Sequence, residues 1–112
     1  MPKAILNYAE LPVADSKRSK AFYEKALGWE MTSFAPTYAG SIGQHGDLGL
    51  DADTDLTAPL PNFETDDLEA MLAQVEVAGG RIVQPIFDFP GGRRFHFEDP
   101  DGHVIGIWEA AS

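Results

Sequence analysis

Residues Asp66–Gly80 read DDLEAMLAQVEVAGG, and their apolar members Leu68, Met71, Leu72, Val75 and Ala78 recur at the three- and four-residue intervals of a single helix face. Asp66 and Glu69 have the spacing of a capping box at the start of that face. Gly79 and Gly80 stop it, because glycine accepts the left-handed backbone that ends a helix. Upstream, Pro59 and Pro61 mark a connection that leads into an expected strand around Asn62 to Thr65. Downstream come three extended runs, Arg81 to Phe89, Arg93 to Glu98 and His103 to Glu109. Between the last two, Asp99-Pro100-Asp101-Gly102 places Pro and Gly where a type I turn favours them, so the end of the chain reads as a hairpin.

The first half has the same order. Leu6 to Val13 alternates, with Ala9, Leu11 and Val13 on one side and Tyr8, Glu10 and Pro12 on the other. Asp15 is a helix cap, Phe22, Tyr23, Ala26 and Leu27 form an apolar stripe, and Gly28 is the stop. From Trp29 to about Asp53, short aromatic or β-branched pieces broken by Pro36, Gly40, Gly43, Gly46 and Gly49 predict a three-stranded meander, whose register the pattern does not set. Asp15 and Asp66 are 51 residues apart, and Gly28 and Gly80 are 52 apart. A unit of that length used twice explains both intervals. The expected fold class is α+β, with two βαβββ modules, 1–56 and 57–112, in a single domain over 1–112.

Composition narrows the function. With 112 residues, 44% of them hydrophobic, the chain can bury one real core. Eighteen acidic residues against eight basic ones give a net charge of −10, which repels a phosphate backbone and offers an anionic membrane no basic stripe. Nucleic acid and membrane are therefore not expected partners. The chain has no cysteine, which removes disulfide, thiolate and zinc–thiolate chemistry and suits a reducing compartment. No signal-peptide pattern opens the sequence, and no run approaches the roughly 20 apolar residues that span a bilayer. A cytoplasmic location is the expectation.

Several strings carry a family resemblance. Leu11-Pro12-Val13-Ala14-Asp15 and Ala21-Phe22-Tyr23-Glu24-Lys25-Ala26-Leu27-Gly28-Trp29 in the first module are echoed by Asp66-Asp67-Leu68, Ala78-Gly79-Gly80 and Asp99-Pro100-Asp101-Gly102-His103-Val104-Ile105-Gly106-Ile107-Trp108-Glu109 in the second. Their order and spacing resemble the vicinal oxygen chelate superfamily, which includes glyoxalases, bleomycin-resistance proteins and dioxygenases. Within it the chain is most similar to the lactoylglutathione-lyase-like branch. The resemblance implies modules that curl around a concave cavity, a small organic ligand and a homodimer.

Metal-dependent members of that superfamily hold a divalent ion with His, Glu or Gln from the first and last strands of each module. The matching positions here are Tyr8, a position near Leu60, and Gly106, none of them a usual ligand. Gln44 or His45 supplies at most one ligand in the segment of unset register. The expectation is therefore no metal and no cofactor. The acidic run Asp47, Asp51, Asp53 and Asp55 lacks the terminal Glu of a calcium loop and reads as a solvated loop. Gly91-Gly92-Arg93-Arg94 lacks a phosphate loop's context and reads as a hairpin turn.

The expected ligand-binding residues are Tyr8, Glu10, Arg94, His96 and Trp108, with Glu10 and His96 as candidate acid–base groups. His96 alternates with Phe95 and Phe97. If the phenylalanines pack under a helix, His96 shares the opposite face with Arg94 and Glu98, and its natural pKa near neutrality suits proton transfer. Glu10 falls on the same side of its strand as Tyr8, and a buried carboxylate needs a partner, for which Arg94 or His96 is the structural choice. Tyr8 and Trp108 supply aromatic walls with polar tips. His103, just after a tight turn, reads as a turn-stabilising residue and His45 as a loop residue. The expected function is metal-free binding of a small organic molecule. Its alternatives are a metal-dependent lyase, isomerase or dioxygenase, and an interaction module with a collapsed pocket.

Overall fold

The computed structural model describes residues 2–43 and 47–112. In chain order its elements are β1 (Ile5–Pro12), α1 (Ser16–Leu27), β2 (Thr32–Ala35), β3 (Tyr38–Ser41), β4 (Asp47–Asp51), β5 (Leu60–Glu64), α2 (Leu68–Val77), β6 (Arg81–Phe89), β7 (Gly92–Glu98) and β8 (Val104–Ala110). This is βαβββ twice, as the repeat spacing implies. Two compact units result, Tyr8–Leu60 and a second composed of Met1–Asn7 with Pro61–Ser112, so the first residues of the chain count with the later module.

In the N-terminal unit the strand order is β2-β3-β4-β1, with β1 parallel to β4 and the other neighbours antiparallel. Asp15 caps α1 by accepting the N–H groups of Lys17 and Arg18 at 3.0 and 3.2 Å. Gly28 ends the helix at φ 70°, a conformation that costs a residue with a Cβ more than it costs glycine. The expected apolar stripe of α1 is not its packed face: Phe22 is 61% exposed and Leu27 50%. Polar groups fasten the helix instead. Ser16 Oγ donates to the Pro36 carbonyl, while the Glu24 carboxylate accepts the Met31 N–H at 3.0 Å and the Lys20 ammonium at 3.2 Å. The meander forms as expected, but Asp47 and Asp51, read from the sequence as loop residues, lie in β4 and make local turn bonds to the N–H groups of Gly43 and Asp53.

In the C-terminal unit the order is β5-β8-β7-β6, with β5 parallel to β8 and the rest antiparallel. Leu68 and Met71 of α2 pack on Phe95 of β7 and Ile107 of β8, surrounded by Phe63, Leu72, Val75, Ile82, Ile86 and Phe97. Burying such side chains contributes about 1.5–3 kcal/mol each. The start of α2 is tied to the sheet: Glu109 of β8 accepts the Leu68 N–H, and Arg93 of β7 bridges Glu69 and Glu109. Hydrogen bonds from Arg93 hold both carboxylates below the usual range. The β7–β8 turn closes as expected, with Gly102 N–H donating to the Asp99 carbonyl and Asp99 Oδ1 accepting from Asp101 and His103. Gly91 lies in the β6–β7 hairpin turn.

The cap of α2 differs from the sequence reading by one residue. Asp67, not Asp66, accepts the Ala70 N–H, and Glu69 pairs with Arg93 instead of reaching back to the cap. The ion pair with Arg93 offers Glu69 a charged partner that a capping-box backbone N–H cannot match. Asp67→Ala is expected to lower stability by about 1 kcal/mol. Asp66→Ala should stay within about 0.5 kcal/mol of wild type, as surface changes usually do. Urea unfolding of the two variants checks this, and equal losses would restore the capping box at Asp66.

Candidate functional site

Strand β7 divides the C-terminal unit into two faces. Phe95 and Phe97 point to the core under α2, so alternation turns Arg94 and His96 to the other side. Two rungs cross the sheet there. One runs Gln84, His96, Gly106, Asn62; the other runs Phe87, Arg94, Trp108, Glu64. Arg94 is 6% exposed, and its guanidinium carbon stands 5.2 Å from the Phe87 ring centre and 4.8 Å from that of Phe89. Such cation–π contacts are each worth about 0.5–2 kcal/mol. The His96 ring meets Phe87 edge to face at 5.5 Å, and Phe89 meets Trp108 in the same way at 6.1 Å. Trp108 Nε1 donates to Asn7 Oδ1, and Asn7 Nδ2 donates to Glu64.

His96 is 8% exposed, and its Nε2 has no hydrogen-bond partner among the described residues. Glu98, its expected neighbour on this face, forms an ion pair with Arg81. Burial first, and the charge of Arg94 second, push the His96 pKa down to about 4. The near-neutral pKa expected from the sequence is therefore corrected: at pH 7 the ring is a neutral imidazole, able to form one hydrogen bond at each nitrogen.

The N-terminal unit has a polar centre of its own. Glu10 is 2% exposed and accepts hydrogen bonds from Tyr38 Oη at 2.8 Å and Tyr8 Oη at 3.4 Å. Across the parallel pair, Glu10 faces Gly49, and a Cβ at Gly49 would collide with both tyrosine hydroxyls. In the other unit Asn62 faces Gly106, and a Cβ there would collide with the Asn62 side chain. Glu10 and Asn62 are 52 residues apart. Each module thus sets a buried polar side chain of its first strand over a bare glycine of its last.

The residues at the family's metal-ligand positions do not fit a metal ion. Gly106 has no donor, and the space in front of it is taken by Asn62. Leu60 is an apolar residue 1% exposed, and the Tyr8 hydroxyl is bonded to Glu10. Among the described residues no three His, Asp or Glu side chains gather as ligands. Gln44 and His45 lie outside the described residues.

Of the five expected site residues, Arg94, His96 and Trp108 fall on one face of the C-terminal unit, while Tyr8 and Glu10 form a cluster in the other unit. Sequence reading missed Tyr38, Asn62, Phe87 and Phe89. Tyr38 lay in the segment of unset register, and Asn62 was available from the repeat interval applied to Glu10. A surface cleft of about 820 Å³ in the C-terminal unit is lined by Lys3, Ile5, Glu64, Thr65, Asp66 and Glu109 among others, and by neither Arg94 nor His96.

This paired βαβββ architecture, with its polar residues on the strands, agrees with comparison to known proteins. Residues 5–107 match the Glyoxalase/Bleomycin resistance protein/Dioxygenase superfamily, and the chain belongs to that family. CFP32 of Mycobacterium tuberculosis, whose name carries a provisional glyoxylase assignment, is 26% identical over 118 residues, covering 93% of this chain. The chain spans only 45% of that relative's length. Among solved structures, a Legionella pneumophila protein described as an NAD-dependent benzaldehyde dehydrogenase superposes with a TM-score of 0.78 at 23% identity, covering 94% of this chain and 99% of that one. The Mn(II)-bound glyoxalase from Novosphingobium aromaticivorans gives 0.73 at 24% identity, over 97% of this chain and 40% of that one. Identities this low establish the shared fold alone. Among the described residues no helix is long and apolar enough to cross a membrane.

The lowered His96 pKa has a consequence for stability. The unfolded chain takes up this proton near pH 6.5, whereas the folded protein resists it until about pH 4. The contribution of His96 is therefore complete above pH 6.5 and is lost as pH falls toward 4. Its full size is on the order of 3 kcal/mol. Between pH 7 and pH 4, wild type should lose that much more unfolding free energy than His96→Gln in urea titrations. The carboxylates lowered by ion pairs titrate alike in both proteins and cancel in the difference. Parallel pH profiles would show that His96 is not held neutral.

Proposed function

We propose that this protein binds a small organic molecule without the family's metal ion, and that the β6–β8 face of the C-terminal module supplies its main contacts. One observation carries the reading. Arg94 and His96 are both more than nine-tenths buried on the face turned away from the hydrophobic core, among Phe87, Phe89 and Trp108. Aromatic walls around a few fixed polar groups are the usual make-up of a small-molecule site. In this reading Arg94, His96 and Trp108 contact the ligand. Glu10, held by Tyr8 and Tyr38, is a separate polar centre within the N-terminal unit. Tight binding alone can sequester a toxic compound, so no reaction is required of it.

A metal-dependent lyase, isomerase or dioxygenase has family precedent, yet it needs ligands where Tyr8, Leu60 and Gly106 stand. An interaction module with a collapsed pocket would leave the buried His96 nitrogen without purpose. The protein is further proposed to act in the cytoplasm as a homodimer. The dimer would cover some of the apolar side chains left open on the N-terminal unit, where Phe22 and Ile42 are 61% and 62% exposed. Acidic charge and lack of cysteine agree with that compartment.

Protein purified without chelator or nickel resin should carry no stoichiometric Mn, Fe, Ni or Zn, and divalent ions should not raise its melting temperature. A flat aromatic compound at about a hundred times its Kd should add roughly 3 kcal/mol of stability. His96→Gln should weaken that effect while leaving the circular dichroism of the fold in place. One equivalent of bound metal whose removal lowers the melting temperature would replace this reading with the enzymatic one.

A further inference from the structure

We propose that His96 Nε2, on the face of β7 turned away from the core, is a subsite for an uncharged oxygen, the hydroxyl or carbonyl of a flat aromatic ligand. The inference rests on the reading of the C-terminal face as a binding surface and names the ligand class for it. Gly106 sits between Asn62 and His96 on adjacent strands, and a Cβ at that position would lie 3.5 Å from His96 Cδ2 as well as overlapping Asn62. A side chain at Gly106 would first meet Asn62, while its contact with the imidazole edge that carries Nε2 would be an ordinary one. That nitrogen is buried without a partner among the described residues, an unfavourable state unless something bound there satisfies it. The edge-to-face contact with Phe87 fixes the plane of the ring, so the hydrogen bond has a set direction.

Charge narrows the ligand further. The next rung places the Arg94 guanidinium beside His96, which disfavours an ammonium group. A carboxylate would pair with Arg94, but only by carrying a full charge into a buried setting, and the desolvation penalty of a buried pair can exceed its attraction. An uncharged oxygen avoids both costs and uses the bond left open at His96 Nε2. Phe87, Phe89 and Trp108, all partly exposed, supply apolar rings for the flat body of the same molecule.

The test compares four probes of one shape: naphthalene, 1-naphthol, 1-naphthoate and 1-naphthylmethylamine, titrated by fluorescence against the full chain. 1-Naphthol should bind about tenfold more tightly than naphthalene, the contribution of one hydrogen bond. The naphthoate and the amine should bind no better than naphthalene. In His96→Phe the hydroxyl preference should vanish, so that 1-naphthol and naphthalene bind with equal affinity. In 15N-histidine-labelled wild type, naphthol but not naphthalene should move the His96 Nε2 resonance, a readout that needs no variant to fold. A hydroxyl preference that survives in His96→Phe, a naphthol-insensitive Nε2, or a stronger response to either charged probe would overturn the subsite alone. Failure of all four probes to bind would also overturn the surface on which it rests.

Discussion

The position of Phe95 decides much of what the C-terminal module can do. Its ring is fully buried against Leu68, Met71 and Ile107, and a strand reverses its side chains at every residue. Removing it would cost about 3–5 kcal/mol, and a one-residue slip of β7 would put Arg94 and His96 into that apolar core. The hydrophobic register thus compels two polar groups onto the opposite face. Their presence there is a consequence of core packing, and the surrounding rings of Phe87, Phe89 and Trp108 turn it into a place with defined chemistry. The Arg93 bridge from Glu69 to Glu109 holds α2 over the core and so supports the same register.

A second constraint appears in both modules. A parallel pair brings the first and last strands together at Glu10 and Gly49 in one unit and at Asn62 and Gly106 in the other. In each, the side chain missing from the last strand leaves room for a polar group from elsewhere: two tyrosine hydroxyls with Glu10, or the Asn62 carboxamide. The superfamily's metal-bearing chains use last-strand carboxylates, whereas at Gly106 the corresponding space is closed by Asn62. Restoring a glutamate at that position would therefore require a change at Asn62 as well.

Much of this was legible in the sequence because it depended on local chemistry. Helix caps and stops at Asp15, Gly28 and Gly79, the alternation of Arg94 to Phe97, and the turn at Asp99 to Gly102 are short-range signals whose meaning does not depend on distant residues. The failures have equally specific causes. The stripe of α1 was read by hydrophobicity, but Glu24 and Ser16 anchor that helix through hydrogen bonds, which leave no period in the sequence. The pKa of His96 depends on burial and on Arg94, which is two residues away in sequence but reaches the ring only through the folded strand. Phe87 was hidden because β6 slips register between Gln84 and Phe87, so counting along the strand could not pair it with Arg94.

Net charge and local charge point in different directions on the face proposed to bind the ligand. The chain carries a formal −10, which taken alone favours a cationic ligand. On the face built by β6, β7 and β8, however, the buried charge on β7 is the guanidinium of Arg94, and the neighbouring imidazole is neutral at pH 7. Distant surface carboxylates are screened within roughly 8–10 Å at ordinary ionic strength, whereas a buried arginine a rung away is not. A net charge of −10 repels phosphate backbones and anionic membranes. In the proposed reading, selection at that face falls to the aromatic wall and to the hydrogen bond open at His96 Nε2.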